Sequence, residues 1–375
     1  MTNSNDISVV IPTRNRARYV EDLLVSLKIS QDRFDGMSEV IVVDDSEPAE
    51  ASSIQASCQR AGARFLQGTA SVRQKRNLGV QEASFPIVLF IDSDCVAQED
   101  LLQQHALTYQ NADGSVAGVV GVTEFVGRES WRWEVIRRTQ FLNAFSFAHR
   151  MEFAPWATCS NTSYRRDILR QANGFDTSFP FRLGGDDLEL GIRLGKDGYK
   201  LKCNPSAIAY HTRDTWESLS SVWRRAFRWG RMDLHVNYRK HRDRLGLGMP
   251  RFSQVFFLLA VSAVIQCALT LTARPLLLPF LWGGGTLVIQ GFSTVRMKKG
   301  RWRNFFYELA ADVLGLAFEF GTLLEGLRRL EPSVIFNTVQ RGPVLPGFDQ
   351  REWVIQGWSM WLAMSLVLAA KALWR

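Results

Sequence analysis

Apolar residues follow two rhythms along this chain, and the change between them falls near residue 240. In the first stretch, short β-branched runs, ISVVIPT (7–13), EVIVVDDS (39–46), ARFLQG (63–68) and PIVLFIDSD (86–94), alternate with helix-like segments at 17–29, 50–61 and 71–83. Continuous apolar runs this short suit strands covered on both faces. Their alternation with helices predicts an α/β fold with a Rossmann-like, mostly parallel, doubly wound sheet. Ligands of such sheets bind outside the carboxyl ends of the strands, near the switch in strand order. The expected strand ends, Thr13-Arg14, Asp44-Asp45 and Asp92-Ser93-Asp94, therefore belong to one crevice.

From about Ser115 the pattern loosens. SVAGVVGVTEFV (115–126) fits one or two strands, and an irregular aromatic stretch runs on to Phe153. A second organised block from Trp156 to His211 predicts a strand, a helix at 165–171, a glycine-rich loop, a helix at 187–196 and a strand ending at Tyr210-His211. A long basic-aromatic helix is expected over 216–239. These segments predict one domain over 1–240, in two halves at 1–114 and 115–240, followed by a region of different character over 241–375.

The last third differs in kind. The segment 252–273 carries no charge and is long enough to cross about 30 Å of hydrocarbon. After Arg274-Pro275, the segment 276–292 is a candidate return, and 353–374, with tryptophans at its edges, is a further candidate span. The stretch 304–330 is apolar but carries Glu308, Asp312, Glu319 and Glu325, expensive at bilayer depth. An amphipathic interfacial helix is expected there. A buried helical pair in a soluble domain is the competing account of 252–292.

Charge changes this picture in one respect. The formal net charge is +8, with an excess of cations in 213–251 and 296–303. Such blocks belong to a solvated face, nucleic acid or anionic lipid. Here they flank the apolar pair, so membrane lipids are the expected partner and no nucleic acid is. The positive-inside rule then places both outer ends, and the catalytic domain, in the cytosol. The five cysteines form no CxxC pair, so they suggest neither a zinc site nor a disulfide framework, and a reduced compartment is expected. The N-terminus lacks a basic segment followed by an apolar core, so no cleaved signal peptide is expected.

Two acidic motifs are candidates for chemistry. Asp92-Ser93-Asp94 offers hard oxygen ligands for a divalent cation, which would neutralise a diphosphate; a solvated loop is the plain alternative. Asp186-Asp187 after two glycines is either a general base or an acidic helix N-terminus.

Five motifs in order resemble the family 2 glycosyltransferases, inverting enzymes of the GT-A fold. SVVIPTRNRARYVEDLLVSL (8–27) is similar to that family's opening strand and helix, VIVVDDSEP to its second strand, and ASVRQKRNLGV (70–80) to its nucleotide-side helix. FIDSDCVAQEDLL is similar to its DxD strand, and NTSYRRDILRQANGFDTSF with GGDDLELGIRLGKDGYKL (within 161–201) to its acceptor half. The resemblance covers roughly residues 7–240. It implies a nucleotide-sugar donor, a UDP-sugar by expectation, held by Pro12, Thr13, Arg14, Asp44, Asp45, Arg76, Asn77, Asp92, Ser93 and Asp94. It further implies Mn2+ or Mg2+ on Asp94, with His211 as an additional ligand, and Asp187 as the base. Asp186 stands where many relatives carry glutamate.

Processive members carry Gln-x-x-Arg-Trp where this chain has Arg225-x-x-Arg228-Trp229, a departure that puts polymerisation in doubt. Arg225, Arg228 and Arg231 recur at about one helical turn, a face suited to phosphate or anionic headgroups. The expected function is an inverting, metal-dependent transfer from a nucleotide sugar to an acceptor, a lipid or lipid-linked glycan among the candidates, at the cytosolic membrane face. A processive polysaccharide synthase subunit and a non-catalytic nucleotide-binding membrane scaffold are the alternatives. A sugar nucleotidyltransferase is disfavoured because VVIPTRNRARY has no glycine-rich, lysine-containing loop.

Overall fold

Burial explains the acidic strand endings. All five residues of Ile87–Ile91 are buried, and the chain turns polar only where the strand leaves the sheet. The computed structural model describes residues 5–181, 184–216, 218–246, 250–297 and 302–339, together with Leu362.

In chain order the elements are β1 (Ile7–Thr13), α1 (Ala17–Asp32), β2 (Ser38–Asp44), α2 (Pro48–Ala61), β3 (Arg64–Gln67), α3 (Val72–Glu82) and β4 (Ile87–Ile91). There follow β5 (Cys95–Ala97), α4 (Leu101–Gln110), β6 (Val116–Val126), α5 (Trp131–Ile136), β7 (Phe153–Ala154), β8 (Asn161–Arg165) and α6 (Arg166–Gln171). The remainder comprises α7 (Asp186–Lys196), β9 (Lys200–Thr212), α8 (Leu219–Asp233), α9 (Phe252–Thr270), α10 (Leu277–Met297) and α11 (Phe305–Arg328). The chain divides into two compact units, Met1–Arg128 with Leu142–Thr215, and Glu129–Phe141 with Trp216–Arg375. The helix following Trp216, assigned by sequence to the 1–240 domain, falls in the second unit.

The first unit is built on one sheet in the order β3-β2-β1-β4-β8-β6-β9-β5. Its first four strands are parallel, as the alternation of strand and helix requires. The second half is mixed: β8 runs antiparallel to both β4 and β6, whereas β6 and β9 are parallel. The stretch 115–126 contributes one long strand. Strand order reverses at β1, whose neighbours β2 and β4 precede and follow helices of their own, so the switch point lies where β1 and β4 end. The core beneath it joins β1, β2 and β4 to the apolar faces of α1 and α2, with Ile11, Val20, Leu23, Leu27, Val42, Ile54 and Leu89 fully buried. Each such side chain contributes about 1.5–3 kcal/mol relative to exposure.

In the second unit α8 passes directly into a π-helical turn over Leu234–Lys240, so the expected single helix over 216–239 is interrupted in its winding. α8 and α11 meet backbone to backbone. A Cβ on Gly230 would lie 1.9 Å from the Phe318 carbonyl oxygen, and one on Gly321 would lie 2.2 Å from that of Phe227. The Thr322 hydroxyl donates to the Gly230 carbonyl at 3.0 Å.

The stretch 304–330, expected to be an amphipathic interfacial helix, forms α11, and its acids find partners within the second unit. Glu308 pairs with Arg138 at 3.2 Å, Glu319 accepts from the Ser253 amide at 3.0 Å, and Glu325 pairs with Arg231 at 2.9 Å and Arg329 at 3.0 Å. Two of the acids that argue against a span, Glu308 and Glu325, are thus paired with arginines. Two helical segments, Phe252–Thr270 and Arg274–Ser293, are long and apolar enough to cross a membrane. Much of their apolar surface is exposed, Leu269 at 79% and Phe280 at 67%. Of the candidate span 353–374, all but Leu362 lies outside the described residues.

Candidate active site

Three loops carry the expected site residues to the carboxyl edge of the parallel strands. The loop after β1 is tied to the loop after β2: Asn15, in the left-handed region at φ 52°, donates its backbone N–H to the Ser46 hydroxyl oxygen at 2.7 Å. Asn15 in turn accepts from the Glu47 amide at 3.0 Å. Pro12 and Thr13 end β1 opposite Val43 and Asp44 of β2. Arg14 is about half exposed and lies 3.6 Å from Asp45.

Asp44 is buried and accepts from the Ser46 amide at 3.0 Å, so it shapes the turn. Asp45 pairs with the ammonium of Lys75, which also donates to the Thr13 carbonyl at 2.7 Å. Lys75 was not foreseen. It lies beside Arg76 on α3, in a segment whose cations look merely solvated until the helix is seen against β1.

Arg76 is buried, donates to Asp186 and lies 3.7 Å from Asp92. Arg73, one turn earlier and fully buried, donates to the Phe181 carbonyl and, at 2.8 Å, to that of Gly184. Asn77 is put to another use than the expected ligand contact. Its amide oxygen accepts from the Phe175 N–H and its amide nitrogen donates to the Phe175 carbonyl, both at 2.8 Å. It anchors the chain leading to the Asp186-Asp187 motif.

Gly184 and Gly185 have φ of 93° and 75°, which an L side chain rarely adopts. Their conformation turns the chain so that Asp186 and Asp187 open α7. Among the described residues, Asp45, Asp92, Asp94 and Asp186 each have a cation within ion-pair distance, and Asp187 has none. Burial, followed by the charge of Asp186, pushes the Asp187 carboxyl up to about 7.

At the end of β4, Asp92, Asp94 and His211 bring one ligand atom each within 4.8 Å of one another. The ladder makes this possible: β5 pairs antiparallel with β9, with Cys95 opposite His211. The His211 Nδ1 meets the Thr212 carbonyl at 2.8 Å, which leaves Nε2 facing Asp94 Oδ1 at 3.4 Å. Asp94 Oδ2 accepts from the Thr215 hydroxyl at 2.9 Å. Oδ1 is buried and accepts no hydrogen bond, although Arg16 stands 2.9 Å from it. Burial works to raise the Asp94 carboxyl, but His211 and Arg16 outweigh it and hold it below the usual range. Two carboxylates and an imidazole around an orphaned oxygen fit a divalent cation of the Mg2+ or Mn2+ type. Ser93, between the two acids, is buried and lies 3.4 Å from Arg16.

The remaining candidates lie in the second unit. The Arg225 guanidinium sits 4.1 Å above the Trp216 ring, and Trp229 packs against Trp216 and Phe141. Arg228 is exposed. Arg231 pairs with Glu325, so the expected row of three outward arginines is not formed.

The model of the family described as glycosyltransferase like family 2 matches residues 4–231, more than half of the chain. The chain belongs to that family. Among curated family 2 relatives, it is 25% identical over 225 residues to the dolichyl N-acetyl-alpha-D-glucosaminyl phosphate 3-beta-D-2,3-diacetamido-2,3-dideoxy-beta-D-glucuronosyltransferase of Methanococcus voltae, covering 56% of this chain and 68% of the relative. It is 23% identical over 251 residues to the chondroitin synthase of Pasteurella multocida, covering 55% of this chain and 24% of the synthase. A solved mannosyltransferase, PcManGT from Pyrobaculum calidifontis in complex with GDP-Man and Mn2+, is 16% identical with a TM-score of 0.45, covering 97% of this chain and 85% of that one. The family 2 match ends at residue 231, within α8.

Proposed function

We propose that this chain transfers a sugar, with inversion, from a UDP-sugar donor to a hydroxyl-bearing acceptor that is lipid or lipid-linked. The observation that carries the proposal is the pairing pattern of the acids. Among the described residues, four crevice carboxylates are held by cations, while Asp187 is not and keeps a proton affinity near neutrality. A base with that affinity takes a proton from an alcohol as its oxygen attacks and still releases it to water afterwards.

The division of labour follows from position. Asp45, aligned by Lys75 and Arg14, offers carboxylate oxygen to the donor N–H groups of a nucleobase. Asp94, Asp92 and His211 would hold a divalent cation, which supplies neutralisation of the departing diphosphate. Asp187 removes the acceptor proton, the acceptor oxygen forms its bond to the anomeric carbon, and the bond from that carbon to the diphosphate breaks with its electron pair leaving on UDP. Attack opposite the leaving group inverts the centre. Asp186, fixed by Arg76, positions the loop from which Asp187 projects.

An amphiphilic acceptor is favoured by chain order. Thr215, which holds Asp94, is followed at once by the second unit with its two apolar helices of spanning length. We place those helices in a bilayer and the first unit on its cytosolic side, on the strength of the basic segments flanking them.

The test is release of nucleoside diphosphate by the full chain in mild detergent, over a panel of nucleotide sugars with total lipid extract. Release from one donor, abolished by chelator and in Asp94→Asn and Asp187→Asn, is the expected result. Equal release in both variants would overturn the assignment.

A further inference from the structure

Arg16 has no place in the chemistry above, yet it stands on its most consequential atom. Its guanidinium is 2.9 Å from Asp94 Oδ1 and 3.4 Å from the Ser93 hydroxyl. Oδ1 is the Asp94 oxygen that His211 Nε2 faces at 3.4 Å, whereas Oδ2 already accepts from Thr215. Arg16 and a divalent cation therefore compete for one atom. We propose that Arg16 is a switching counter-ion of the donor site, yielding Asp94 to the metal only when a diphosphate arrives to receive its guanidinium. The inference rests on the metal-binding reading of Asp92, Asp94 and His211.

Three features support it. The backbone of Arg16 is fixed, its carbonyl accepting from the Val20 amide at 3.0 Å in the first turn of α1. The side chain is free to turn, being 34% exposed, unlike the fully enclosed Arg73. Charge supplies the direction. A dication beside a guanidinium is repelled, and both are attracted by the two or more negative charges of a nucleoside diphosphate, to which arginine presents a planar fork. Metal and diphosphate then bind with positive coupling, and by reciprocity each tightens the other. Neither alone completes the site, so a metal ion unaccompanied by donor is held poorly.

The coupling is measurable without turnover. Mn2+ binding to the full chain in detergent is followed by electron paramagnetic resonance, with and without UDP, for the wild type, Arg16→Gln, Arg16→Lys and Asp94→Asn. Arg16→Gln is expected to bind Mn2+ alone roughly tenfold more tightly than the wild type and to lose most of the enhancement by UDP. Arg16→Lys, which keeps the charge, should keep part of the enhancement. If Arg16→Gln binds Mn2+ alone no better than the wild type while Asp94→Asn binds it poorly, the metal site stands and the proposal for Arg16 is overturned. If Asp94→Asn binds Mn2+ as well as the wild type, Asp94 is not a ligand and both fall.

Discussion

Asp186 and Asp187 are adjacent in the chain and open the same helix, yet among the described residues cations stand at Asp186 alone: Arg76 donates to it, and Arg73 lies 3.8 Å away. Burial, followed by the charge of Asp186, is what holds the Asp187 proton. One acid of the pair is structural and its neighbour is left reactive by that fact.

The pH dependence of kcat/KM should carry this signature. A base must be unprotonated, so the rate rises with pH through a midpoint near 7. Asp186→Asn removes the repelling charge and should move that midpoint to lower pH. A midpoint unchanged in the variant would show that Asp186 does not set the proton affinity of Asp187.

Asp187→Asn should lower turnover by about 10²–10⁴-fold and leave UDP binding close to the wild type. Its stability should respond to pH in a defined direction. The folded carboxyl binds its proton up to about 7, and the unfolded one releases it near 3.8. Across that window the native state holds more protons, so wild-type stability falls as pH rises. Thermal melts should therefore show the variant gaining on the wild type between pH 4 and 8.

His211→Ala removes the ligand that β9 supplies. The Mn2+ concentration giving half-maximal diphosphate release should rise, and excess Mn2+ should restore much of the rate. Loss of rate that Mn2+ does not restore would argue that His211 acts other than through the metal.

Cysteine chemistry reports on the apolar helices. Cys58, Cys95, Cys159 and Cys203 are buried, whereas Cys267 on α9 is partly accessible. In sealed membranes a charged, impermeant maleimide should leave Cys267 unmodified, and detergent should expose it. Rapid labelling in intact membranes, from either side, would remove α9 from the bilayer.

Gly230→Ala drives a methyl group into the Phe318 carbonyl of α11. Overpacking of this kind costs on the order of 1–3 kcal/mol, and here it meets rigid backbone rather than a yielding side chain. Denaturant titration should show the second unit losing stability.

The parallel half of the fold is legible because each element carries its own signal. Residues 7–13 form the strand they resemble, and the acids at 44–45, 92–94 and 186–187 are visible as polar breaks after apolar runs or glycines. Partners contributed at a distance are not. Arg16, Arg73, Lys75 and Thr215 are ordinary by local pattern and acquire meaning only through contacts with residues 30 to 121 positions away. β5, at three residues, is too short for periodicity to register. The acids of α11 are ambiguous for a related reason, since burial with arginine partners and exposure at a lipid surface leave the same trace in the sequence.

Strand order also imposes a timetable on synthesis. β4 is bracketed by β1, made before it, and β8, made more than seventy residues later. Until residues 161–165 leave the ribosome, a wholly apolar strand presents an open row of amides and carbonyls to whatever it meets. Residues 1–114 made alone therefore leave that edge of β4 unpaired, and the sheet closes over it only when β8 is added.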